Sequence, residues 1–267
     1  MIVHNFDPVF IDLGLIEIRW YSIAYILGIV LGWIYANKII NTKIKNKFNF
    51  VTSSQFDDLL IYLVLGIIIG GRLGYVIFYN LEYYSNNFLE IFKIWKGGMS
   101  FHGGLMGVIF ANFIFSKAKK INFFIFSDLI SCVAPIGIFL GRIANFINGE
   151  LYGKISTLPW SVIFPGGGEL PRHPSQIYEA ILEGGILFIL INYLALKKQL
   201  IFKPGIVSGL FLILCSIFRL FSESFREPDL HIGYFFNYFS MGTILSFFTL
   251  VAGLFIILFI KKNEQIN

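Results

Sequence analysis

Charge is what this sequence has least of. Asp, Glu, Lys and Arg supply 14% of its 267 residues, too few to coat a water-soluble domain of that length. With 56% apolar residues and a mean hydropathy of +0.74, the chain reads as an integral membrane protein. Cysteine is nearly absent. Cys132 and Cys215 both fall in apolar runs, which excludes a disulfide framework. Both thiols are assigned to packing, because burial among apolar groups makes a thiol a poor nucleophile. Clustered metal ligands are missing too: there is no Asp-rich group for Mg²⁺ and no Cys/His set for zinc. Neither a metal nor another cofactor is expected. No glycine-rich nucleotide loop is present. The first twenty residues lack a basic start, and Asp7, Asp12 and Glu17 interrupt their apolar run. They read as an interfacial segment over 1–20 and not as a secretory signal.

What is abundant is the apolar run. About 20 apolar residues carry a helix across a bilayer. Seven stretches qualify: 22–40, 59–79, 99–116, 123–140, 177–196, 205–225 and 237–260. Short connections make residues 1–267 a single all-α membrane domain with seven transmembrane helices. Cytoplasmic loops are enriched in Lys and Arg. Lys38, Lys43, Lys45 and Lys47 follow the first span, and Lys117, Lys119 and Lys120 the third. Lys197, Lys198 and Lys203 follow the fifth, and Lys261 and Lys262 the seventh. These positions share one side, which is therefore the cytoplasm. The N-terminus is outside and the C-terminus cytoplasmic. Orientation accounts for the net charge of +5, so no nucleic-acid partner is required. Between the fourth and fifth spans lies a turn-rich outer segment containing PGGGELPRHP.

The other nine cations are Arg19, Arg72, Lys93, Lys96, Arg142, Lys154, Arg172, Arg219 and Arg226. They stand within spans or on the outer side, and an anionic ligand there would explain them. An ionisable residue inside the membrane costs at least roughly 2.5–3.5 kcal/mol on insertion scales, and normally faces the protein interior beside a partner. Four groupings fit. In GGRLGYVIFYN, Arg72, Tyr75 and Tyr79 share one helical face; snorkelling of Arg72 within a tyrosine belt is the alternative. In KGGMSFHGGLMG, His102 is flanked by two glycine pairs that permit a close backbone approach. In GRIANFINGELYG, Arg142 and Asn145 fall one turn apart. Asn148 and Glu150 then mark the helix end, with Gly149 and Gly153 as left-handed turn residues. In FRLFSESFREPD, Arg219 and Glu223 are i, i+4 partners and Arg226 extends their stripe.

This inventory is several guanidiniums, one His, a few amides and a few carboxylates. Arg grips phosphate in bidentate fashion and keeps its charge; His is the natural proton acceptor near neutrality. A phosphate-bearing ligand inside an outer-leaflet helical bundle is most simply a phospholipid head group. A phosphodiester held by Arg can also depart as a leaving group when a nucleophile attacks the glycerol carbon. A non-enzymatic carrier or flippase for an anionic lipid is the rival reading, though spans one, five and seven offer few polar residues for a path. An intramembrane serine protease built on Ser100 is disfavoured by the Phe that follows that Ser.

FHGGLMG, GRIANFINGELYGK, RHPSQIYEA and FREPD occur in this order across the spans. The chain resembles the bacterial prolipoprotein diacylglyceryl transferases. The family signature GRxxNFxNxExxG is matched at Gly141, Arg142, Asn145, Phe146, Asn148, Glu150 and Gly153. The likeness runs from WYSIAYILG to FSMGTILS. It implies transfer of the diacylglyceryl group of phosphatidylglycerol to the thiol of the lipobox cysteine in a prolipoprotein signal peptide, in the bacterial inner membrane. It also implies a small periplasmic head, which fits 142–175. Arg142 and Arg219 would bind the lipid phosphate and stabilise the leaving group, and His102 would act as base or orient the thiol. Tyr25, Asn145, Glu150, Gly153 and Glu223 would complete the site, with Asn148, Arg226 and Arg72 in the lipid-binding set. A free thiol has a pKa of about 8.5, so a base and nearby arginines both favour the thiolate. Cys215 stands where the family leads one to expect Tyr, which leaves a hydroxyl role there in doubt.

Overall fold

A computed structural model describes residues 2–14, 17–45, 51–94, 97–227, 234–235 and 239–266, and their side chains except at 101, 102, 234, 235 and 263–266. Lys47, Lys96 and Pro228 lie outside the described residues. The helices are α1 (Trp20–Ile44), α2 (Ser53–Tyr79), α3 (Leu81–Asn86), α4 (Phe101–Lys119), α5 (Phe123–Ile147), α6 (Ser175–Lys197), α7 (Ile206–Glu223) and α8 (Met241–Ile266). Among the described residues, α1, α2, α5, α6, α7 and α8 are long and apolar enough to cross a membrane. The protein is thus mostly helical and multi-pass. Helix α4 stands at the expected third span. Helix α5 continues to Ile147, beyond the expected boundary at 140, so Arg142 and Asn145 sit on regular helix.

The chain forms two compact units, Asn37–Ser127 and Met1–Ala36 with Asp128–Asn267. In the first, α2 and α4 touch backbone to backbone. Gly66, Gly70 and Gly74 recur every four residues and meet Gly103 and Gly107. A Cβ added at Gly74 would stand 2.7 Å from the Gly103 Cα, so only glycine permits this approach. Ser100 opens α4 as a cap, its Oγ accepting from the Gly103 N–H at 3.2 Å. That leaves Ser100 a structural role.

In the second unit, Asp128 of α5 is fully buried. It accepts from Gly205 N and Ser208 N, each at 2.7 Å, and from Ser208 Oγ. These are the free N–H groups at the start of α7, so one carboxylate fixes α7 to α5. Asn192 of α6 donates to the Cys132 carbonyl at 2.9 Å and accepts from Tyr35 Oη. The expected N-terminal interfacial segment is extended chain: β1 (Ile2–Val3), β2 (Val9–Asp12) and β3 (Glu17–Arg19). Strand β1 pairs in parallel with β4 (Val162–Ile163) of the outer segment. Buried His4 then donates through Nε2 to the Phe146 carbonyl at 2.7 Å, capping the last turn of α5. Strand β5 (Tyr234–Phe235) pairs antiparallel with β6 (Phe239–Ser240), which precedes α8.

Candidate active site

The residues that gather lie on α5, α6 and α7. Gly184 lets α6 approach α5 closely, since a Cβ there would fall 2.6 Å from the Phe139 Cβ. This contact brings Glu183 beside Arg142. One helical turn earlier stands Glu179, with no exposed surface. Its carboxylate bridges two helices, with Arg142 Nη1 at 3.0 Å from Oε2 and Arg219 Nη1 at 2.7 Å from Oε1. Arg226 Nη1 reaches the same Oε1 at 3.4 Å. Glu223 pairs with Arg219 Nη2 at 3.0 Å, accepts from Ser240 Oγ at 2.7 Å, and packs on Gly242, where a Cβ would crowd the carboxylate. Glu183 stands 3.6 Å from both Arg142 and Arg219.

Three guanidiniums therefore face three carboxylates, and depth separates the two signs. The acid side chains are 0%, 5% and 9% exposed and Arg226 only 8%, whereas Arg142 and Arg219 keep 21% and 17%, so the separation holds for these two arginines. The acids and Arg226 are the buried part of the cluster, and the Arg142 and Arg219 forks form its more approachable part. Such an arrangement suits an anion bearing oxygen acceptors.

The α5 end forms the second part of the site. Asn145 Nδ2 donates to Glu150 Oε1 at 2.7 Å, and Gln176 of α6 donates to the Glu150 carbonyl. Gly149 takes a left-handed conformation as expected, but the second such residue is Leu151, at φ +58°, and not Gly153. Gly153 is required for space: a Cβ there would meet the Phe225 carbonyl and the His173 Cβ. Asn148 donates its backbone N–H to Ala144, and its Oδ1 has no hydrogen-bond partner among the described residues. Tyr25 Oη bonds Tyr21 Oη at 3.3 Å, with Arg142 and Glu150 within electrostatic reach.

Several expected cations have other partners. Arg72 is buried in the unit Asn37–Ser127 and donates to the carbonyls of Glu90, Ile91, Lys93, Gly97 and Gly98. Its fork is filled by backbone, which ties residues 90–93 and Gly97 and Gly98 to α2. Arg172 pairs with Glu227 at 3.0 Å, Arg19 with Glu17 at 3.0 Å, and Lys93 with Glu90. Lys154 Nζ caps the Ser224 carbonyl at 3.0 Å. Beside it, burial and the Lys154 charge hold the His173 imidazole below its usual range, so it is neutral at pH 7. His102 stands on α4, with its side chain outside the described residues. Cys215 lies one turn before Arg219 and within electrostatic reach of Glu183, Arg142 and Arg219, so it lines the site as well as packing.

Glu179 and Glu183 were not among the expected residues. The signal was present: two acids, i and i+4, in an apolar run that must cross the bilayer.

The chain is similar to known proteins. The prolipoprotein diacylglyceryl transferase family profile matches residues 8–259. A phosphatidylglycerol–prolipoprotein diacylglyceryl transferase from Rickettsia felis is 48% identical over 253 residues, covering 95% of this chain and 96% of its own. The enzyme of the same name from Rickettsia canadensis is also 48% identical with the same coverage, and that from Rickettsia bellii is 47% identical over 255 residues, 95% of each chain. With a match spanning nearly its whole length and every position of the signature in place, this chain belongs to the prolipoprotein diacylglyceryl transferase family.

Proposed function

We propose that this protein transfers the diacylglyceryl group of phosphatidylglycerol to the lipobox cysteine thiol of prolipoprotein signal peptides. The work is done at the outer face of the bacterial cytoplasmic membrane, by seven membrane helices with the N-terminus periplasmic. The observation that carries the reading is the pair of partly exposed guanidiniums, Arg142 and Arg219, joined through one buried carboxylate. Two forks held in fixed register bind a phosphodiester without reorganising, and stabilise the charge that grows on it as the carbon–oxygen bond breaks. Arg226 adds positive potential. The Asn145–Glu150 turn, with Asn148, Gly153 and Tyr25, would position the glycerol portion. His102 would remove or orient the thiol proton. Residues 142–175 would supply the outer head, in which Ser175 Oγ donates to the Leu151 carbonyl and Lys154 donates from N and Nζ to the Phe225 and Ser224 carbonyls just past α7.

The carrier reading draws no support from the relatives, which are named as transferases. A transfer assay separates the two. Full-length protein in detergent is given phosphatidylglycerol and a lipobox peptide. Glycerol phosphate release in step with peptide lipidation is expected, with no modification of a peptide carrying Ser for Cys. Lipid binding without release would favour the carrier, and efficient lipidation of the Ser peptide would contradict thiolate attack.

A further inference from the structure

The buried acids of the cluster are not held alike. Glu179 and Glu223 each have a guanidinium nitrogen within 3.0 Å. Glu183 comes no closer than 3.6 Å to one, beyond hydrogen-bond range. Glu179 Oε2, Glu183 Oε1 and Glu223 Oε2 all lack a well-aligned hydrogen bond among the described residues. Only Glu183 also lacks a close ion pair, yet it is 4% exposed. The charged and titratable groups facing it are Arg142 from α5, Arg219 and Cys215 from α7, Arg226 beyond the end of α7, and Glu179 on its own helix.

Formal charge sets the cost of an anion in this cluster. Arg142, Arg219 and Arg226 balance Glu179, Glu183 and Glu223. Glu150 is exposed, so water screens its charge. A phosphodiester entering between the forks brings one further negative charge into a buried setting, where an unbalanced charge is costly. A proton on one carboxylate restores neutrality, and the carboxylate with the weakest pairing accepts it at least cost.

We propose that Glu183 takes up a proton as the anionic lipid binds and delivers it to the ester oxygen that leaves. The proposal rests on the transferase reading above. Sulfur attacks the glycerol carbon, the C–S bond forms and the C–O bond breaks. The electron pair stays on the ester oxygen, which becomes O–H with the proton from Glu183. The thiol's own proton passes to a general base, and exchange with solvent resets both groups. Glycerol phosphate then departs as a monoanion, and no dianion forms among the carboxylates. Glu183 is on this view a catalytic residue, whereas Glu179 positions the arginines.

The test is titration calorimetry of the full-length protein in detergent with short-chain phosphatidylglycerol. Two buffers of different ionisation enthalpy count the protons taken up. Wild type is expected to bind about one proton per lipid and Glu183→Gln almost none. Glu179→Gln should still take up the proton while binding lipid more weakly. With a thiol peptide, Glu183→Gln should lower kcat roughly 10²-fold, leave the lipid KM within about twofold, and abolish the alkaline limb of the kcat–pH profile. Lipid binding by wild type without proton uptake would overturn the proposal even if the variant failed to fold. So would a Glu183→Gln protein with unchanged uptake or kcat. Absence of lipid binding by wild type would instead refute the transferase reading, and this proposal with it.

Discussion

At the scale of single residues, the site depends on Glu179. One buried carboxylate touches Arg142, Arg219 and Arg226, so neutralising it loosens three forks at once. Removing one partner of a buried ion pair commonly costs about 3–5 kcal/mol. Glu179→Gln should therefore lower the melting temperature and cut transfer at least about 100-fold, read by thermal denaturation and the peptide assay. Wild-type values for both would remove Glu179 from this role. The arginines were legible in the sequence because a guanidinium in an apolar span demands a reason. Glu179 and Glu183 are marked as acids in an apolar run, but their pairing with these arginines is not, because no cation stands near them in sequence; the i, i+4 pair Arg219–Glu223 is one side of a larger network. Arg72 shows the converse. Its place in a span marked it for a ligand, but its five carbonyl acceptors come from a loop distant in sequence. No local pattern announces such a partner.

At the scale of elements, glycine spacing governs contact. The register Gly66, Gly70 and Gly74 against Gly103 and Gly107 leaves no room for a Cβ. Gly107→Val should force α2 and α4 apart, lowering yield and melting temperature through the lost packing. An unchanged melting curve would show that the helices do not meet as described. Apolar run length gave away these helices, and glycine content the tightness of their approach. Helix ends were less legible. Helix α5 passes the signature arginine and stops only at Ile147, because His4, from the far end of the sequence, caps its last turn. The left-handed residue at Leu151 is likewise set by tertiary contacts, with glycine beside it at 153 serving for space alone.

At the scale of the whole molecule, the lysine positions carry the orientation. Reporter fusions after Lys120 and Lys203 should be active only as cytoplasmic fusions, and those within 155–170 only as periplasmic ones. The opposite pattern would invert the proposed topology and place the arginine cluster on the wrong leaflet. The membrane class was readable from scarcity of charge and length of apolar runs, since bilayer thickness fixes both. The meeting of three helices around one carboxylate was not readable, because it depends on how helices far apart in sequence pack. The decisive question is whether two rigid forks, and not merely two positive charges, drive displacement at carbon. The measurement is turnover of phosphatidylglycerol and a lipobox peptide by Arg142→Lys and by Arg219→Lys, each checked for folding. Each is expected to lose at least about 10³-fold in kcat/KM, because a point charge cannot reproduce bidentate contact. Turnover within a few-fold of wild type in both variants would contradict it.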